Sequence, residues 1–95
     1  MAKKNMTGDP VIEEIKKQLL TEKVIIGTER TLEGLKKGKI AKVYISSNCP
    51  EEVRKDTVYY AELSNAEVIL LKIPNDELGT VCRKPFSVSV LSVQK

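Results

Sequence analysis

A chain of 95 residues, 41% apolar and 31% charged, is long enough for one modest core and has the composition of a folded globular protein rather than a disordered one. Its formal charge of +3, from 16 Lys plus Arg against 13 Asp plus Glu, permits an anionic partner without demanding one. The lack of His removes the usual zinc sites and every His-based nucleophile–base pair, and no apolar run approaches membrane-spanning length.

Residues 1–8 are polar and are expected to form a flexible N-terminus ahead of a single domain over residues 9–95. The N-terminus lacks a signal-peptide core, so a cytoplasmic protein with no membrane partner is expected. Cys49 and Cys82 are then expected to be reduced, structural thiols.

Asp9-Pro10 predicts a helix start, with Asp9 as cap and Pro10 in the first helical position. Ile12, Ile15 and Leu19 repeat at helical spacing, and the helix should run to about Leu20. Val24-Ile25-Ile26 reads as a buried strand. Gly27 then permits a tight turn, and Thr28 is placed to cap a second helix that buries Thr31, Leu32 and Leu35. That helix should end near Lys36-Lys37, with Gly38 in the left-handed position just beyond. Lys42 to Ser46 is the second strand, and Ser47-Asn48-Cys49-Pro50 turns into a third helix carrying Val53, Thr57, Tyr60 and Ala61 on one face. Val68 to Lys72, nearly all apolar, predicts a strand buried on both faces. Asn75 is expected to cap a short helix from Asp76 to about Val81, Arg83-Lys84-Pro85 reads as a loop, and Phe86 to Val93 as the last strand. Strands alternating with helices imply a layered α/β domain with helices on both faces of one sheet, and Leu32, Leu35, Val43, Ile45, Ile69 and Leu71 are the expected core.

Catalytic chemistry finds little support. The carboxylates Glu51, Glu52, Asp76 and Glu77 sit at helix starts, where they stabilise the dipole, and Gly27 is not part of a phosphate-cradling motif. No enzyme activity, metal or cofactor is expected. What remains is a binding edge. The Gly27 turn delivers a helix N-terminus to the end of the sheet, where free N–H groups and the helix dipole favour an anion. Arg30, Lys36, Lys37, Arg83 and Lys84 are the basic residues expected near that edge.

Three segments carry a resemblance: Gly27-Thr28-Glu29-Arg30-Thr31, Asp56 through Ser64 with its Tyr-Tyr-Ala-Glu-Leu-Ser run, and Glu77-Leu78-Gly79 running on to Phe86. Over about residues 10 to 95 the chain resembles the archaeal and eukaryotic large-subunit ribosomal protein family L-thirty-e, within the superfamily of small kink-turn RNA-binding proteins. The resemblance implies a three-layer α/β/α sandwich around a four-stranded mixed sheet. It further implies a structural constituent of the cytoplasmic ribosome that binds ribosomal RNA or another kink-turn RNA beside neighbouring ribosomal proteins and is a monomer when isolated. By match, Gly27, Thr28, Glu29, Arg30 and Thr31 meet the sheared G·A pairs of the kink. Val81, Cys82, Arg83, Lys84, Pro85 and Phe86 pack on an extruded base, with Asn48 flanking the site. Two positions depart from the family pattern. Glu29 stands where a non-acidic polar residue is expected, and a carboxylate cannot donate to a phosphate. Arg83 stands where a small residue, often Gly, is expected. A protein-interaction module on the same fold is the alternative, favoured by Glu29 and the low net charge.

Overall fold

The computed structural model describes residues 10–21 and 23–95, so the expected Asp9 cap and the expected flexible segment 1–8 lie outside the described residues. The order is α1 (Pro10–Gln18), β1 (Val24–Ile26), α2 (Thr28–Lys36), β2 (Ile40–Ile45), α3 (Glu51–Leu63), β3 (Glu67–Leu70), α4 (Asn75–Val81) and β4 (Val90–Gln94). The sheet runs β1-β4-β2-β3, with β4 antiparallel to both neighbours and β2 parallel to β3. It is therefore mixed, as expected.

Alternation along the strands divides the apolar residues between two faces. Tyr44, Leu91 and Val93 join Ile15 of α1 and Leu78 of α4 in one core. Val43, Ile45 and Val90 join Leu35 of α2 and Ala61 of α3 in the other. Helices thus cover both faces, giving the α/β/α sandwich. The α1 side is fastened by Lys42 of β2, whose ammonium donates to the Glu14 carboxylate. On the opposite side the buried hydroxyls of Thr31 and Ser92 lie 3.0 Å apart and fasten α2 to β4.

Several boundaries and burials differ from expectation. α1 stops at Gln18, and the Thr21 hydroxyl donates to the Gln18 carbonyl at 2.7 Å in the turn that follows. β3 is an edge strand with both ends exposed: Val68 packs on one core and Ile69 on the other, but both are only half-buried, so the expected burial on both faces is partial. Ile69 and Leu32 are half-buried at the margins of the two cores, whereas Leu35, Val43, Ile45 and Leu71 are buried. β2 begins two residues earlier than predicted, through a register irregularity at Ile40/Lys42. Phe86 to Ser89 is loop rather than strand, because β4 pairs only from Val90 onward.

Candidate nucleic-acid interface

Topology brings four loops to one end of the sheet. β1, β2 and β3 all end there, and β4 begins there: Ile26 pairs with Leu91, and Ile45 with both Val90 and Leu70. Gly27 N–H donates to the Val90 carbonyl at 3.0 Å, and Ser46 N–H to the Ser89 carbonyl at 2.9 Å. The Gly27 turn, the 46–50 turn, the entry to α4 and the 82–89 loop are therefore neighbours.

Gly27 itself is the residue that caps α2. Its φ of 115° and ψ of 151° lie in a region essentially reserved for glycine, and α2 receives no side-chain cap, so Thr28 is the first helical residue and not the cap. A Cβ at Gly27 would meet no protein atom within 4 Å, which leaves its outer side open to a ligand. The first N–H groups of α2, beside this opening, have no intrahelical partner. Glu29 and Arg30 are exposed beside it and Thr28 is half-buried.

Asn48 and Asn75 form a clasp across the edge. The Asn48 Oδ1 accepts from the Asn75 backbone N–H at 2.7 Å, and its Nδ2 donates to the Asn75 Oδ1 at 3.2 Å. Asn75 is thus the first residue of α4, and the cap comes from Asn48 in another loop. The Asn75 carbonyl in turn accepts from Val88 N–H at 3.0 Å, which ties the last loop to the clasp.

That last loop is shaped by α4. Arg83 N–H donates to the Thr80 carbonyl and Lys84 N–H to the Gly79 carbonyl, both at 2.9 Å, closing the helix with the paired bonds of a left-handed stop. Arg83 occupies the left-handed position with φ of 59°. The small residue expected there is thereby explained, since a side chain in that conformation is strained. Gly79 has a different necessity: a Cβ on it would lie 2.1 Å from the Phe86 carbonyl oxygen, so only glycine lets the returning loop rest on α4. Arg83, Lys84, Pro85 and Phe86 are all exposed, Phe86 at 56%. Val81, by contrast, is half-buried along an open groove of about 750 Å³ between α1, β1 and α4, shared with Lys16, Leu19 and Ile26.

Not every expected residue reaches the edge. Thr31 is fully buried against Ser92, so its hydroxyl holds α2 in place and meets no ligand. Lys36 and Lys37 close the far end of α2, about 12 Å from the Gly27 turn along a nine-residue helix. Lys37 is beside Glu33 at 3.6 Å, and Lys36 lies over the Tyr60 ring at 5.0 Å from its centroid. The residues that sequence reasoning missed are Asn75, as partner of Asn48, and Gly79. The Glu77-Leu78-Gly79 run was the available signal for the second, but no local pattern reveals a side chain capping a helix from another loop.

Neither cysteine is in a disulfide. Burial raises the thiol pKa of both, with Arg54 beside Cys49 and Lys84 beside Cys82 acting in the opposite sense. Both stay protonated and weakly nucleophilic at neutral pH. Among the described residues no cluster of His, Cys, Asp or Glu could hold a metal ion.

The fold and this edge define a three-layer α/β/α domain that presents a glycine-entered helix and a helix-supported loop side by side. The chain belongs to the ribosomal protein L7Ae/L30e/S12e/Gadd45 family, whose model matches residues 9–95. It is 45% identical over 74 residues to the large ribosomal subunit protein eL30 of Methanothermobacter thermautotrophicus, covering 78% of this chain and 76% of that one. It is 40% identical over 80 residues to the eL30 of Sulfolobus acidocaldarius, covering 84% and 77%. Among solved structures, the 15.5kD RNA binding protein of Giardia lamblia superposes with a TM-score of 0.74 at 17% identity, covering 90% of this chain and 71% of that one. The two eL30 relatives are ribosomal proteins rather than enzymes.

Proposed function

We propose that this protein is a structural constituent of the large subunit of the cytoplasmic ribosome, and that its domain over residues 9–95 binds a kink-turn in RNA at the Gly27 edge beside neighbouring ribosomal proteins. The observation that carries the reading is the convergence at one sheet end of an uncapped α2 N-terminus, entered through a glycine with an open outer side, and the exposed 83–86 segment supported by α4. The first offers backbone donors to base edges and phosphates. The second offers Phe86 and Pro85 as an apolar rest for an extruded base, with Arg83 and Lys84 beside the phosphates. Support comes from the names of the relatives as large-subunit proteins.

One observation favours the rival reading, a protein-interaction module. The exposed acids Glu29, Glu51, Glu52, Asp76 and Glu77 stand at this edge and outnumber Arg30, Arg54, Arg83 and Lys84. Recognition by shape and base edges tolerates this, whereas simple charge attraction does not. The test is a titration of Gly27→Ala, Glu29→Lys and Arg30→Ala against a kink-turn hairpin and a straight duplex. Arg30→Ala should cost about 1–3 kcal/mol of hairpin binding if Arg30 reads a base bidentately. Should it neutralise a phosphate instead, the salt slope falls by about one contact. Equal affinity for both RNAs, indifferent to all three changes, would promote the protein-interaction reading.

A further inference from the structure

The end of the sheet opposite Gly27 gathers lysines. Lys23 precedes β1, Lys39 precedes β2 and Lys95 follows β4. Lys95 N–H donates to the Lys39 carbonyl, and Gln94 N–H to the Lys23 carbonyl, each at 2.9 Å, so these three stand on neighbouring strand ends. Lys36 and Lys37 close α2 immediately before Lys39, and all five side chains are exposed. Lys36, Lys37 and Gly38 border an open depression of about 430 Å³ whose other wall is Tyr60, Leu63 and Ser64 of the α3 C-terminus.

Three described acids, Glu33, Glu62 and Glu67, stand against the five lysines at this end. Glu33 pairs with Lys37, whereas Glu67, opposite Lys42 in the β2–β3 register, and Glu62, on the outer face of α3, are exposed. The dipole of α2 accounts for Lys36 and Lys37. It does not account for Lys23, Lys39 and Lys95, which sit on strand ends. Exposed lysines are compact point charges without the fork that reads bases or carboxylates in pairs, which suits a regular array of phosphates read without regard to sequence.

We infer that this lysine-rich end is a second RNA surface, which takes the phosphate backbone of a helical segment other than the one at the Gly27 edge. The proposal rests on the reading of the Gly27 edge as an RNA site, and it makes the domain a bridge between two RNA segments. The two surfaces are separated by the length of β2, about 20 Å for six residues, and face in opposite directions.

The full chain, saturated with a short kink-turn hairpin, is titrated with a labelled straight RNA duplex over a range of salt. The wild-type complex should take up the duplex. The K36Q/K37Q/K39Q variant should bind the hairpin as before, lose about tenfold or more in duplex affinity and show a salt slope lower by about two to three. K36R/K37R/K39R should keep duplex binding, which separates charge from packing on Tyr60. Duplex binding that is unchanged in the glutamine variant, or that the hairpin displaces, overturns the proposal. So does uptake of an acidic peptide in place of the duplex, which would mark the surface as a protein site. If instead Gly27→Ala and Arg30→Ala leave hairpin binding untouched while the glutamine variant still weakens duplex binding, the Gly27 reading fails and the lysine surface stands.

Discussion

Three helices in this domain end in the same way, and the residue in the left-handed position differs each time: Gly38 at φ 70°, Asn65 at φ 60° and Arg83 at φ 59°. Glycine adopts that conformation freely, asparagine tolerates it and arginine is strained in it. Arg83→Gly should therefore raise unfolding stability by about 1 kcal/mol, read from urea denaturation. The same change should lower the salt slope of kink-turn binding by about one contact if Arg83 meets a phosphate. Loss of stability in that variant would mean the Arg83 side chain makes compensating contacts. Gly27 is strained for any other residue by a different route, since its backbone lies in a region that costs a side chain on the order of 1–3 kcal/mol. Gly27→Ala therefore needs a stability measurement beside its binding measurement. The positive-φ role of Gly38 was legible because glycine after a basic helix end is a strong local signal. That of Arg83 was not legible from its own chemistry, and only the family pattern pointed to a small residue there.

At the scale of the element, the Lys42–Glu14 pair fastens α1 to the sheet. The hydrogen bond from Lys42 is the main cause of a lowered Glu14 pKa, and the bond to Glu14 the main cause of a raised Lys42 pKa. The Glu14 contribution is complete above its ordinary value of 4.5 and is lost as pH falls through the lower folded value. The Lys42 contribution is complete below 10.5 and is lost as pH rises through the higher folded value. Both side chains are about one-third exposed, so the pair is worth about 1 kcal/mol or less. Thermal melts from neutral to acid pH should show wild type losing up to that amount more than Lys42→Met, and parallel profiles would deny the clamp. Beneath it, burial pushes the Tyr44 phenol up to about 12, with the nearby Glu14 carboxylate adding to the effect, so that phenol stays neutral throughout. The α3 face was readable because Val53, Thr57, Tyr60 and Ala61 keep helical spacing within the thirteen-residue helix. The partial burial of β3 was not readable because a short apolar run does not say whether a strand is central or at a margin.

The whole molecule is two aliphatic cores separated by one sheet, and they should respond independently. Leu78→Ala on the α4 side and Leu35→Ala on the α2 side should each cost about 2–5 kcal/mol, and the double variant should come within about 0.5 kcal/mol of the sum. A large departure from additivity in denaturant unfolding would show that strain passes through the sheet. The sequence by itself determined the alternation of helices and strands, the aliphatic character of the cores, the glycine entry to α2 and the left-handed stop at Gly38. Each of these depends on residues close together in the chain, where spacing and backbone preference act directly. Tertiary structure alone decided that β4 lies between β1 and β2, that Asn48 caps α4, that Thr31 turns inward to Ser92 and that Lys36 and Lys37 join Lys23, Lys39 and Lys95 rather than Arg30. Those outcomes depend on which strand ends the sheet places side by side, and residues far apart in sequence become neighbours only when both cores close around it.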